Sequence, residues 1–158
     1  MTDPRALRGL VERARHGALA TVAREPAGWP FATLVAVAFD ERARPLLLLS
    51  RLAEHTQNLE ACASASLLVV DPEGAATGDP MAAGRMTLVG SCARVADGEQ
   101  AAVRAAFVRA HPEASGYARF ADFAAYRMEV TAARWVGGFG RMAWVDGGAY
   151  TAACAGGE

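Results

Sequence analysis

The sequence predicts a mainly β fold of the α+β kind, an antiparallel barrel with helices on its flanks. Three observations lead there. Short apolar or alternating runs recur along the chain, and most are joined by short turns. Helical patterns are too few to alternate with these runs as a parallel sheet requires. No G-x-G-x-x-G, G-x-x-x-x-G-K-[ST] or G-x-S-x-G motif is present.

The elements follow in order. Asp3-Pro4 reads as an N-cap with proline at the first helical position. Leu7, Leu10, Val11 and Ala14 then recur at helical spacing. Gly17 is expected to end this helix, with His16 in its last turn. Residues 18–23 (ALATVA) read as a strand. Residues 31–39 (FATLVAVAF) are apolar on both faces, as in a strand covered on both sides. Residues 40–44 make a hairpin connection to the return strand PLLLLS (45–50). A short helix is expected over 53–61 and a strand over 65–71. Residues 72–84 read as a long loop rich in Gly, Pro and Ala.

A long strand follows at 85–95, with Gly90 at a bend. Asp97 and Gln100 resemble a capping box opening a helix whose stripe is Val103, Ala106, Phe107 and Ala110. In the strand 124–136, Tyr126, Met128, Val130 and Ala132 are expected on one face. GGFG (137–140) turns the chain into a last strand, 141–145. One domain over 1–145 is expected. The tail 146–158 has no periodicity and is expected to be flexible.

Composition narrows the function classes. The chain has 158 residues, 53% hydrophobic and 21% charged, which suits one soluble domain. A net charge of −1 gives no argument for nucleic acid or an anionic membrane. No run approaches the roughly 20 apolar residues of a membrane span. The N-terminal stretch lacks the apolar core of a secretory signal, so the cytoplasm is the expected compartment. Cys62, Cys92 and Cys154 are widely spaced without a C-x-x-C pair, and Cys62 and Cys92 read as small buried hydrophobes.

The stretch SRLAEHTQNL (50–59) carries the chemistry. Polar side chains crowd the point where the strand ends and a helix begins. A helix start offers unpaired N–H groups and partial positive charge, which favour an anion. Ser50, Thr56 and Asn58 can donate to phosphate oxygens, and Arg51 and His55 can add charge-assisted bonds. The alternative is Ser50 as an N-cap with a solvated helix face.

The passages GALATV, PFATLV, PLLLLSRLAEHTQNL, GRMTLVG and YRMEVTAARWVGGFGRMAW, in that order, resemble the FMN-binding split barrel of the pyridoxamine 5′-phosphate oxidase-like superfamily. Within it the chain is most similar to the haem-utilisation (HugZ/HutZ-like) branch, through S-x-L-A-x-H-T-x-N-L and A-R-x-V-G-G-F-G-R. The resemblance covers about residues 5–145. It implies a six-stranded antiparallel Greek-key split β-barrel, a homodimer, and two flavin sites at the dimer interface. It implies an FMN phosphate at Ser50, Arg51, His55, Thr56 and Asn58, and a flavin ring along Thr33, Leu34 and Val35. Arg85, Arg141 and Trp144 would close the site. On the residues alone, Arg85 reads rather as a surface or interface ion pair, and Trp144, with Phe139, as packing in the dimer core.

Two departures shape the expectation. The cationic phosphate contacts of the oxidases fall on Ala32 and Val37, and their Ser-Arg-Lys triplet on Ala53, Glu54 and His55. Each missing charge-assisted bond is worth about 1.5–3 kcal/mol. Pyridoxamine 5′-phosphate oxidation is therefore not expected. In the haem branch the axial ligand is a histidine near the C-terminus, whereas the last histidine of these residues is His111. His16 and His111 read as helix-end histidines. The expected function is an FMN-dependent oxidoreductase, with catalytic residues and small-molecule substrate unidentified and no metal site expected. The alternatives are a haem-binding or haem-degrading protein, or a flavin-binding module without turnover.

Overall fold

A computed structural model describes residues 3–155. Its strands are β1 (His16–Val22), β2 (Pro30–Ala36), β3 (Ala38–Phe39), β4 (Pro45–Ser50), β5 (Ser64–Val70), β6 (Arg85–Arg94), β7 (Phe123–Val136) and β8 (Met142–Asp146). The helices are α1 (Pro4–Arg13), α2 (Glu54–Ala61), α3 (Pro72–Ala75), α4 (Asp97–Ala110) and α5 (Gly147–Cys154), with a 3-10 turn at Pro112–Gly116. All strand pairs are antiparallel, in the order β2-β1-β5-β6-β7-β4-β3, and β8 pairs with the C-terminal half of β7.

The two ends of that order, β2 and β3, are one run of chain broken at Val37. Counted as one strand, they leave a six-stranded barrel with β8 as an addition. Val37 is fully buried at the break. Its N–H donates to the Arg15 carbonyl at 2.9 Å. Its carbonyl accepts from His111 Nε2, also at 2.9 Å. His111 is therefore no solvated helix-end residue. It is buried against Phe107, and its Nδ1 lies 3.2 Å from Glu113 Oε1.

Two cores flank the sheet. Leu47 and Leu49 of β4 point into the barrel with Leu19, Leu67, Met86 and Leu88. Leu46 and Leu48 point the other way, under Val103 and Phe107 of α4. That is why PLLLLS is apolar without alternation. β2 is different. Among the described residues no helix covers its outer face, so Leu34 stands 79% exposed, against the two-sided burial expected for 31–39.

Several expected boundaries shift for local reasons. α1 ends at Ala14, whose N–H closes on the Leu10 carbonyl, and His16 and Gly17 already belong to β1. The expected capping box is absent. Ala96 is the N-cap of α4, and the Gln100 amide instead accepts from the Ala125 N–H at 2.8 Å and donates to the Val95 carbonyl at 2.9 Å. Within 72–84, α3 forms behind the Asp71 N-cap, and Arg13 grips the Asp71 carboxylate with two nitrogens. Between β6 and β7 the register slips at Val89/Gly90 of β6, leaving Thr131 of β7 unpaired as a bulge. Tyr126 and Met128 are buried before it, Ala133 and Trp135 after it. The expected alternation therefore holds only up to the bulge. Gly90 is required there, because a Cβ would fall 1.9 Å from the Glu129 carbonyl oxygen.

The tail expectation is corrected as well. Asp146 caps α5, accepting from the Ala149 N–H at 3.0 Å. Tyr150 is fully buried, and its hydroxyl donates to the Ala43 carbonyl at 2.7 Å. Periodicity missed this helix because its apolar residues are mostly alanines. Residues 156–158 of the expected tail lie outside the described residues. Among the described residues no helix is long and apolar enough to cross a membrane.

Replacing His111 with Ala leaves the Val37 carbonyl buried without its partner and opens a void. The expected cost is about 2–3 kcal/mol, read as a lower denaturant midpoint. Tyr150→Phe keeps the ring and loses only one hydrogen bond, so about 1 kcal/mol is expected.

Candidate functional site

The split between β2 and β4 leaves a cleft of about 300 Å³. Its walls are Leu34, Val35 and Ala36 of β2 and Leu48, Leu49 and Ser50 of β4. Ala53, His55, Tyr117 and Phe123 complete the lining. The lining is almost wholly apolar, as small-molecule sites commonly are, with a few polar groups to orient a ligand.

His55 is the imidazole of this lining. Burial lowers its pKa below the ordinary imidazole value, because the charged ring loses solvation. Thr33 Oγ1 lies 2.9 Å from His55 Nδ1. With Nδ1 so engaged, Nε2 is the nitrogen left for a ligand. Among the described residues no group of three His, Cys, Asp or Glu side chains could hold a metal ion. A lone imidazole suits a metal that brings its other ligands with it.

The expected phosphate cradle does not assemble. Ser50 Oγ donates to Asp122 Oδ2 at 2.7 Å and accepts from the Leu52 N–H at 3.2 Å. A phosphate at Ser50 would meet a carboxylate already in place. Ala53, not Ser50, is the N-cap of α2, and Glu54 occupies its first turn. Arg51 points to solvent, and its backbone N–H donates to the Asp122 carbonyl at 2.8 Å.

Thr56 Oγ1 is buried with no hydrogen-bond partner among the described residues. Asn58 is fully buried and fully committed. Its Oδ1 accepts from the Arg24 N–H at 3.0 Å, and its Nδ2 donates to Thr21 Oγ1 at 3.1 Å. The polar run at the strand end is thus mainly fold chemistry, with His55 as its contribution to the cleft. Two charge-assisted phosphate contacts of the resemblance have no substitute here, and the residues present do not fit FMN phosphate.

Residues 1–152 match the family described as CREG, beta-barrel. The chain belongs to the CREG beta-barrel family. It is 38% identical over 123 residues to the non-canonical heme oxygenase HOZ, chloroplastic, of Arabidopsis thaliana. That match covers 77% of this chain and 36% of HOZ, so the chain spans about a third of the curated relative's length. A heme binding protein from Mycobacterium smegmatis superposes with a TM-score of 0.87 at 36% identity, over 96% of this chain and 61% of that one. A pyridoxinephosphate oxidase family protein from Clostridium acetobutylicum shares the fold alone, with a TM-score of 0.67 at 14% identity over 92% of this chain and 96% of that one. The resemblance read from the sequence, to the split-barrel superfamily on its haem-utilisation side, is borne out.

In this CREG beta-barrel chain the remaining expected site residues lie elsewhere. Arg85 pairs with Val136 at one end of β7, whereas Ser50 pairs with Phe123 at the other. Thirteen residue steps of strand separate these ends, on the order of 40 Å. Arg85 Nη1 donates to the Met81 carbonyl at 2.9 Å. Arg141 hydrogen-bonds the Gly137 carbonyl and stands over the Trp135 ring at 5.7 Å. Trp144 is 63% exposed, beneath the Arg134 guanidinium. Within one chain, none of the three lines the cleft.

Sequence reasoning missed Asp122, Tyr117 and Phe123. The aromatic spacing Tyr117, Phe120, Phe123 was the available signal, because these rings pack on one another around the turn that carries Asp122.

Asn58→Ala removes two buried hydrogen bonds and strands the Arg24 N–H. A stability loss of about 2–3 kcal/mol is expected. The protein that remains folded should bind any cleft ligand unchanged. Equilibrium unfolding and ligand titration of the same variant separate the two effects.

Proposed function

We propose that this chain binds haem in the cleft between β2 and β4, where His55 Nε2 would hold the iron. The observation that carries the proposal is one neutral, half-buried imidazole in an otherwise apolar cleft, with Nδ1 already engaged by Thr33. A porphyrin offers a wide apolar face and four nitrogens of its own, which suits such a lining. The heme-named relatives support the reading. When bound, haem would supply iron-centred redox and oxygen chemistry, and the protein would supply orientation, water exclusion and the His55 imidazole. Oxidative haem degradation of the kind in HOZ's name is the activity proposed.

The site is completed by a second copy of the chain. Leu34, Ala18, Leu68, Thr87, Arg134 and Trp144 are directly opposed across successive strand pairs, so they share one face in one row. That row crosses the half of the sheet that α4 does not cover. Leu34, Leu68 and Trp144 are all exposed on it. A bare apolar sheet face of this extent calls for a partner. A two-fold axis through the middle of the row carries Trp144 of one copy toward Leu34 of the other, at the mouth of the cleft. The homodimer thereby brings both ends of β7 to one site, as the resemblance implied.

Haemin added to the purified protein should give a Soret band that survives gel filtration, and FMN should not be retained. His55→Ala should abolish the wild-type spectrum while leaving the fold intact. Retained FMN with no haemin uptake would overturn the reading. Addition of a reductant in air should bleach the Soret band if the protein turns haem over.

Protons and iron compete for Nε2. Because burial lowers the His55 pKa, the ring stays neutral at pH values where free imidazole has begun to charge. Haemin binding should therefore persist below the ordinary imidazole range and fall off only as pH drops through the lowered pKa. A pH titration of the Soret band checks this. Leu68→Arg should convert the dimer to monomer in sedimentation equilibrium, without melting the chain.

A further inference from the structure

Thr33 is a core-side residue of β2, opposite Leu19 of β1, and its hydroxyl reaches α2 to meet the His55 ring at 2.9 Å. Between the two residues lie 21 others, so the contact is made by the fold and not by local chain geometry. We infer that Thr33 is a positioning residue for His55. Its hydroxyl fixes the ring plane and keeps the ring hydrogen on Nδ1, so that Nε2 presents its lone pair to the cleft. This inference rests on the haem reading of the same site.

A neutral imidazole carries one N–H, and the partner of one nitrogen decides the state of the other. Burial favours the neutral ring here. In the inferred arrangement Thr33 Oγ1 accepts from Nδ1–H and Nε2 is unprotonated; the opposite sense, with the hydroxyl donating to Nδ1, would put the ring hydrogen on Nε2. In bulk water a free ring has no such fixed partner to bias it. The nature of the partner matters too. A carboxylate on Nδ1–H would draw the ring toward imidazolate and make it a stronger donor to iron. A hydroxyl is uncharged and draws off much less of the proton. His55 would therefore be a plain imidazole ligand, and iron held by it would favour the reduced state more than with a carboxylate partner.

Three variants test this: Thr33→Val, Thr33→Ser and Thr33→Asp, each against wild type and His55→Ala. The first readout needs no haem. Two-bond nitrogen–proton NMR of the apo protein should show His55 with hydrogen on Nδ1 in wild type and Thr33→Ser. In Thr33→Val the population should move toward hydrogen on Nε2. The second readout is haemin affinity, expected to fall about 10–100-fold in Thr33→Val and to recover in Thr33→Ser. The third is the reduction potential of the haemin complex, expected to shift negative in Thr33→Asp.

If His55→Ala binds haemin with the wild-type spectrum, the haem reading fails at His55. If His55→Ala loses that spectrum while Thr33→Val matches wild type in tautomer and affinity, the haem reading stands and this inference is overturned. Should Thr33→Val fail to fold, Thr33→Ala takes its place in the NMR comparison, and an unmoved tautomer there overturns it equally.

Discussion

The break in the chain at Val37 is the constraint on which the site depends. A strand running straight from Pro30 to Phe39 would pair with β1 along its length and leave β4 without a partner on that side. Breaking at Val37 lets Pro30–Ala36 pair with β1 and Ala38–Phe39 pair with β4. The barrel thus closes at one end of this strand and stays split at the other. The split is the cleft. Buried backbone groups at a break need partners. The Arg15 carbonyl and the His111 imidazole provide them. A histidine on the far end of α4 therefore fixes how the wall of the cleft is hung.

Helix α4 supplies the asymmetry. It covers the outer face of β4 and the N-terminal half of β7, and burying Leu46, Leu48 and Ala125 under Val103 and Phe107 makes that half of the sheet two-sided. The other half keeps an uncovered face that runs from Leu34 to Trp144. One face of one sheet is thus divided between a half that a helix of the same chain covers and a half left exposed. The bulge at Thr131 lies near the boundary. It turns the phase of β7, so that its C-terminal half can put Ala133 and Trp135 inside while Arg134 joins the bare face.

The strands were legible because most carry strong apolar runs, and the barrel class followed from their spacing. Where reading the sequence went wrong, the cause was tertiary. Gly17 looks like a helix stop, yet it lies in β1, where a Cβ would fall 2.7 Å from the Leu68 carbonyl oxygen. Gln100 looks like a capping residue, yet its amide is spent on the backbone of β7. The alanine-rich α5 has no periodicity to read, and it is held by one tyrosine whose acceptor, Ala43, is far away in sequence. At the site, residues 50–58 were rightly singled out, but their roles were not. Composition cannot show that Ser50 faces Asp122 or that Asn58 is consumed by Arg24 and Thr21.

The same geometry argues for the cofactor class. A phosphate-bearing cofactor needs donors and positive charge that are free to turn toward it. At the end of β4 the serine is taken by a carboxylate, the asparagine is buried in the fold, and an acidic residue holds the first turn of α2. Placing a dianion there would cost the Ser50–Asp122 bond and add repulsion. What the cleft does offer is apolar wall and one uncharged nitrogen. Desolvation makes a cation there unfavourable and a neutral Lewis base favourable. A group that is flat, mostly apolar and electron-accepting at its centre fits those terms, and a phosphorylated flavin held by its phosphate does not.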